Sequence, residues 1–118
     1  MLQKEYAKHL KRIINENDYE IIHCHTPVAG VLTRLASRKA RKNGSKVFYT
    51  AHGFHFYKGA PKLNWIIYYP IEKICARWTD CLITINSEDY ERAKRKLKKC
   101  RNMAYMIHQY IRLLRTCR

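Results

Sequence analysis

The chain has 118 residues, enough for one domain with a modest hydrophobic core, and its 47% hydrophobic content is ordinary for a globular protein. Its formal net charge is +15, from 24 Lys and Arg against 9 Asp and Glu, which favours anionic partners: nucleic acid, acidic lipid head groups or phosphorylated substrates. No apolar stretch approaches the roughly 18 residues needed to span a bilayer, and residues 1–17 carry charges throughout with no apolar core of a signal peptide, so the expectation is a chain that is soluble or rests on a membrane surface.

Residues 3–15 place Tyr6, Leu10, Ile13 and Ile14 at helical spacing. Ile21-Ile22-His23-Cys24 is a short β-branched run that reads as a buried strand. Thr26 and Pro27 then fit the cap and first position of a helix running to about Lys42. Its expected apolar stripe is Val28, Val31, Leu32, Leu35 and Ala36, with Arg34, Arg38, Lys39, Arg41 and Lys42 towards the other face. Asn43-Gly44 stops that helix, and residues 46–51 read as a second strand. The aromatic and basic segment His52-Gly53-Phe54-His55-Phe56-Tyr57-Lys58-Gly59 is expected to be a loop that binds something at a surface.

Residues 64–79 read as a helix with Ile67, Ile71, Ile74, Cys75 and Trp78 on one face, kinked or interrupted at Pro70. Residues 81–85 form a third strand. Asn86-Ser87 caps the next helix, whose acids come first and bases last, as the helix dipole favours. Tyr90, Ala93 and Leu97 form its thin apolar stripe. Alternating helices and short apolar strands imply an α/β domain with a parallel sheet.

Ligands of open α/β sheets bind beyond the carboxyl ends of the strands, where His23-Cys24-His25-Thr26-Pro27, His52-Gly53-Phe54-His55 and Asn86-Ser87-Glu88 fall. Four of the six histidines lie in these segments. His25 and His52 each sit just past a strand, where an imidazole donates a hydrogen bond to a phosphate or sugar hydroxyl, moves a proton, or simply caps loop backbone. His23 lies within its strand and reads as a satisfied core histidine. A zinc site from His23, His25, His52, His55 and Cys24 is a rival, but no strong zinc signature is present. Phosphate-binding glycine motifs are absent. Gly30, in the first turn of its helix, serves either the approach of an anion or close packing. The aromatics and lysines of residues 54–69 fit a bilayer interface, a lipid-linked pyrophosphate or single-stranded nucleic acid, while Trp65, Tyr68 and Tyr69 also read as ordinary core. Five cysteines, an odd number without a C-x-x-C pair, argue against a disulfide framework and for a reducing cytoplasm, with Cys24 and Cys81 as small core residues.

The run Ile21-Ile22-His23-Cys24-His25-Thr26-Pro27-Val28-Ala29-Gly30 resembles the strand, H-x-H and helix of family-4 glycosyltransferases, and Tyr49-Thr50-Ala51-His52-Gly53 resembles their next strand with its terminal histidine. Residues 54–80, with Tyr68-Tyr69-Pro70-Ile71-Glu72-Lys73, look like the capsular and exopolysaccharide branch, and residues 81–95 match the following strand and helix. The resemblance covers about residues 5–99. It implies a partial Rossmann-like three-layer α/β domain with a short parallel sheet, half of a GT-B fold. It also implies sugar transfer with retention from a nucleotide donor to a lipid-linked acceptor, with neither metal nor cofactor. Carried over residue by residue, it implies His52 and His25 as catalytic residues and Gly53, Phe54, His55 and Lys58 on the acceptor side. The partners would be a nucleotide sugar and a lipid-linked glycan acceptor, with an anionic membrane surface in addition and no specific nucleic acid.

Two departures accompany the resemblance. The family's first strand with its glycine-rich loop is missing before residue 1, and its Glu-rich donor-binding domain does not follow. The expected organisation is therefore a partial acceptor-side domain over residues 1–105, with Asn102-Met103-Ala104-Tyr105 as a last strand, and a divergent tail over 106–118. Such a truncated member would be inactive alone, cytoplasmic, and peripheral on the inner face of the cell membrane. The alternative is a basic module that binds nucleic acid or a membrane surface without catalysis.

Overall fold

The computed structural model describes residues 2–107 and 110–116, with side chains described as far as Ala104. In chain order the elements are α1 (Leu2–Glu16), β1 (Ile21–His25), α2 (Pro27–Ala36), α3 (Arg38–Lys42), β2 (Lys46–Ala51), α4 (Lys62–Cys75), a 3-10 turn (Ala76–Trp78), β3 (Cys81–Thr84), α5 (Ser87–Lys96), β4 (Asn102–Ile107) and β5 (Tyr110–Thr116). The sheet order is β1-β2-β3-β4-β5. The first four strands are parallel, and β5 returns antiparallel to β4. This is an α/β domain with a parallel sheet, as the alternation of patterns implies, and a partial Rossmann-like one, as the resemblance implies. His108, Gln109, Cys117 and Arg118 lie outside the described residues, so the cysteine reading extends here to four thiols. Cys24, Cys75, Cys81 and Cys100 are all buried.

Strand alternation sends Cys24, Tyr49, Ala51, Leu82 and Met103 to one face of the sheet. There they pack with Phe54, Phe56, Ala76 and the α5 stripe Tyr90, Ala93 and Leu97 into the main core. Cys81, Ile83 and Ala104 form a smaller cluster with Phe48 on the opposite face. Ile14 of α1 closes against Ala36 and Ala40 of α2 and α3.

The helices are held over the sheet by a buried ion pair. Arg34 of α2 is 1% exposed and Glu72 of α4 is 6% exposed. The guanidinium donates two parallel hydrogen bonds of 3.0 Å to the carboxylate. It donates a third, of 2.9 Å, from Nε to the Gly30 carbonyl. It also lies 4.0 Å above the Tyr49 ring. Burial works against the Arg34 charge, but the charge and hydrogen bonds of Glu72 outweigh it and hold the guanidinium more basic than usual. Burial pushes the neighbouring Cys24 thiol up to about 11 and raises Tyr49 and Cys75 as well, so the groups around the pair stay neutral.

A second pair anchors the amino-terminal ends of the strands. The Asp80 carboxylate accepts from Arg41 Nε and Nη2 at 2.9 Å each and from the Val47 backbone N–H at 2.8 Å. Burial alone would raise the Asp80 pKa, but those donors outweigh it and hold the carboxyl below its ordinary 3.8. Because the folded pKa is the lower one, this contribution to stability is present above 3.8 and is lost as the pH falls through the folded value.

Several expectations are corrected here. The helix expected from Pro27 to about Lys42 breaks at Ser37 into α2 and α3. Its stripe fails as well: Val28 and Leu35 are exposed, while Arg34, expected on the outer face, is the most buried large side chain of the helix. In α4 the isoleucines expected to face the core, Ile67, Ile71 and Ile74, face outward, and Trp65, Tyr69, Glu72 and Cys75 face in. The helix continues through Pro70, which stands on its exposed side. β1 is an edge strand with only Cys24 buried, not a buried strand.

Glu72→Ala leaves Arg34 buried without a counter-charge and is expected to cost about 3–5 kcal/mol in urea unfolding, whereas Arg34→Met with Glu72→Leu should recover most of that loss, because matched apolar replacement removes both desolvation costs. Equal destabilisation by the single and double changes would show that the pair is not what holds α2 on α4.

Candidate functional site

The parallel register brings the carboxyl ends of β1 and β2 side by side, with His25 opposite Thr50. His52 follows Ala51, the last residue of β2. His25 Nδ1 and His52 Nε2 are 3.1 Å apart, and the two exposed rings are 5.4 Å apart between centroids. At that distance one nitrogen carries a proton and the other presents a lone pair. The pair therefore offers a proton donor and an acceptor at one open spot, the chemistry that moves a proton to or from a hydroxyl.

His23 completes the row. Its ring is 4.3 Å from that of His25, and its Nε2 shares a 2.7 Å hydrogen bond with the Thr50 hydroxyl. It is satisfied, as expected, but it is not in the core: β1 is the sheet edge, and His23 is exposed there. Its pKa lies below the ordinary 6.5 because of partial burial and then the charge of His25. Thr50 is the residue sequence reasoning missed. Its place beside the histidines follows from the β1–β2 register, which pairs it with His25 on the face of His23 and His25.

The turn out of β1 is strained. Thr26 has φ 64° and ψ 150°, and is the sole non-glycine with positive φ among the described residues. Such a conformation costs on the order of 1–3 kcal/mol for a residue with a side chain. Thr26 occupies the expected cap position, but its side chain makes no capping hydrogen bond. It turns the chain sharply from His25 into Pro27 and α2. Gly30 then meets the sheet: a Cβ there would lie 2.5 Å from Cε2 of Tyr49. Of its two readings, close packing is the one the geometry supports.

The loop after His52 divides its side chains. Phe54 and Phe56 stack at 4.8 Å and turn into the core against Trp65 and Tyr69. Phe54, expected to line the acceptor side, is thus a buried packing residue, as is Phe56. Gly53, His55, Tyr57 and Lys58 face out. The His55 ring lies 4.5 Å from that of Tyr68 on α4, and the His55 carbonyl accepts from the Asn64 side chain at 2.8 Å, so His55 is pinned to α4. At the third strand end, Asn86 caps α5 by accepting from the Asp89 N–H at 2.7 Å, as its sequence position implies. Among the described residues no group of three or more His, Cys, Asp or Glu side chains is placed to hold a metal ion. Along the β1 edge an open groove of about 410 Å³, lined by Tyr6, Leu10, Ile13, His23, His25 and Ala29 among others, runs up to the histidines.

Comparison with known proteins adds a family to this geometry. A family model described as glycosyl transferase 4-like matches residues 2–86. A protein of Bacillus subtilis (strain 168) that bears the name of a glycosyltransferase, EpsD, is 64% identical over 87 residues, which is 74% of this chain and 23% of EpsD. An uncharacterised 41.2 kDa protein in the cps region of Klebsiella pneumoniae is 33% identical over 82 residues, 68% of this chain and 23% of that protein. The Escherichia coli UDP-Gal:alpha-D-GlcNAc-diphosphoundecaprenol alpha-1,3-galactosyltransferase is 33% identical over 82 residues, 70% of this chain and 21% of the enzyme. The chain thus spans less than a quarter of the length of these curated relatives. No solved structure matches it at a significant level.

His25→Gln removes one of the two influences that lower the His23 pKa, so the His23 value is expected to rise towards 6.5 in an NMR titration of the imidazole signals. The sign for stability follows. With a lowered folded pKa the unfolded chain takes the proton first, so stability falls as the pH drops below 6.5. The variant should lose less of it over that range. A His23 titration unmoved by the change would mean that the two rings are not neighbours in solution.

Proposed function

The chain belongs to the glycosyl transferase 4-like family, and from that premise we propose that it supplies the acceptor-side scaffold of a retaining glycosyltransferase. Such an enzyme moves a sugar from a nucleotide donor to a lipid-linked polysaccharide precursor. The observation that carries the reading is the 3.1 Å His25–His52 contact at two adjacent parallel strand ends. His52 faces the reaction centre in this reading, and His25 holds it and sets which of its nitrogens bears the proton. Gly53, with no side chain, leaves room beside His52 for the acceptor. Lys58 offers a cation to the acceptor's phosphates, and His55 marks the outer limit of the site through its contact with Tyr68. A lipid-linked acceptor is supported by one relative's name, which specifies a diphosphoundecaprenol substrate. An exopolysaccharide or capsular product is supported by another relative's location in a cps region.

The test uses a chimera in which residues 2–86 replace the matching segment of EpsD. If the chimera transfers sugar from a nucleotide donor to a lipid-linked acceptor, His52→Ala is expected to lower the rate by roughly 100-fold or more, the scale of a lost proton-transfer group. His25→Ala should lower it less. A chimera whose turnover is untouched by His52→Ala removes His52 from the site.

A further inference from the structure

The short helix α3, Arg38-Lys39-Ala40-Arg41-Lys42, is cationic at every position but one. Ala40 packs inward with Ile14 and Ala36, and Arg41 is paired with Asp80. Arg38, Lys39 and Lys42 are exposed and form no ion pair among the described residues. Like charges three and four residues apart, as Lys39 with Lys42 and Arg38 with Lys42, destabilise a helix. No acid of the fold offsets that repulsion. Arg38 has its guanidinium 4.7 Å over the Trp78 ring, a contact through its flat face that leaves its N–H groups available.

The three cations border a hollow. With Lys11 of α1, and with Leu35 and Ala36 at the end of α2, they line a cavity of about 260 Å³. Lys11 is exposed and also forms no ion pair among the described residues, and no Asp or Glu lines the cavity. Lys39 borders a neighbouring cavity of about 300 Å³ where Asp18 and Glu20 stand, but it is paired with neither. Two helices thus bring four unpaired cations to one concave spot. The spot lies where α2 ends and α3 leads into β2, towards the amino-terminal ends of the strands, whereas His25 and His52 stand at the carboxyl ends.

We infer that this hollow is a binding site for a soluble oligophosphate, several phosphates linked in a row as in inorganic tripolyphosphate or the chain of a nucleoside triphosphate. Four cations around one cavity call for a ligand with several negative charges on few atoms. The volume falls below the roughly 300–1,000 Å³ of a drug-sized site, so the ligand is small. No aromatic side chain lines the hollow, so nothing there stacks the bases of a single strand of nucleic acid. Three of the four cations are lysines, compact charges on flexible stems that adapt to phosphate oxygens at varied positions. The inference stands on α1, α2 and α3 and does not depend on the histidine pair.

The experiment is isothermal titration calorimetry of the full chain with sodium tripolyphosphate at near-physiological salt, where charges more than about 8 Å away are largely screened. Saturable binding at one site is expected. Lys39→Gln with Lys42→Gln should weaken it by roughly tenfold or more, the loss of one or two charge-assisted contacts. Lys11→Gln, on a different helix, should weaken it by roughly threefold or more. Lys62→Gln with Lys73→Gln removes the same charge from α4 and should change it by roughly twofold or less. Dimethyl phosphate, which carries the single charge of a lipid phosphodiester, is expected not to compete. Absence of tripolyphosphate binding overturns the inference. So does equal weakening by the α3 and α4 pairs, which would reflect net charge alone, or displacement by dimethyl phosphate at equal concentration, which would make the hollow a site for single phosphodiesters.

Discussion

The Arg34–Glu72 pair is the constraint on which the rest of this structure depends. A guanidinium buried to 1% exposure needs a counter-charge and hydrogen bonds for its fork, and the fold meets that need with one carboxylate, one backbone carbonyl and one aromatic face. Each partner fixes a different element. Glu72 sets the rotation of α4, and the Gly30 carbonyl ties Arg34 to the first turn of α2. Tyr49 stacks beneath the charge from the centre of β2. One side chain thus sets the rotation of both helices against the sheet.

Both surface features follow from that choice. With α2 seated on Tyr49 so closely that position 30 has no room for a Cβ, the chain leaving β1 must turn within one residue. Thr26 takes up the turn in a conformation that β-branched residues avoid. The turn leaves His25 at the very end of β1, beside the residue that follows β2, and the histidines meet. On α4, turning Glu72 inward brings Trp65 and Tyr69 against Phe56 and puts the isoleucines outside. The acid decides which of two apolar faces is core.

That is also why the sequence was legible in some places and not in others. Apart from the break at Ser37 and the strand β5, which falls in the expected tail, strands and helices came out in order, because β-branched runs and the Asn86 cap are local signals, and the α5 stripe of Tyr90, Ala93 and Leu97 is buried as its spacing implies. The strand-end positions of His25 and His52 were legible for the same reason; their contact needed the register. The faces of α2 and α4 were misread because hydrophobic periodicity weighs Ile67, Ile71 and Ile74 above a glutamate, and Leu35 above an arginine. A buried ion pair inverts that weighting. A trace of it was present in the sequence: a lone acid inside an otherwise apolar helix, after some fifty residues without one, is best explained as a partner for a buried cation. The edge position of β1 had no local signal, since strand order is a property of the assembled sheet.

The same pairing shapes the surface field. Beyond Glu20 the chain has five acids, Glu72, Asp80, Glu88, Asp89 and Glu91. The first four are bound to Arg34, Arg41 and Arg92. Glu72, Asp80 and Asp89 are buried counter-ions, while Glu88 and Glu91 stay exposed, so the charge facing water in this part of the chain is mainly positive. A net +15 concentrated in this way repels other copies of the chain and attracts phosphates. The same buried pair thus leaves an apolar, lysine-rimmed helix face outside and goes with two histidines that meet at the sheet edge.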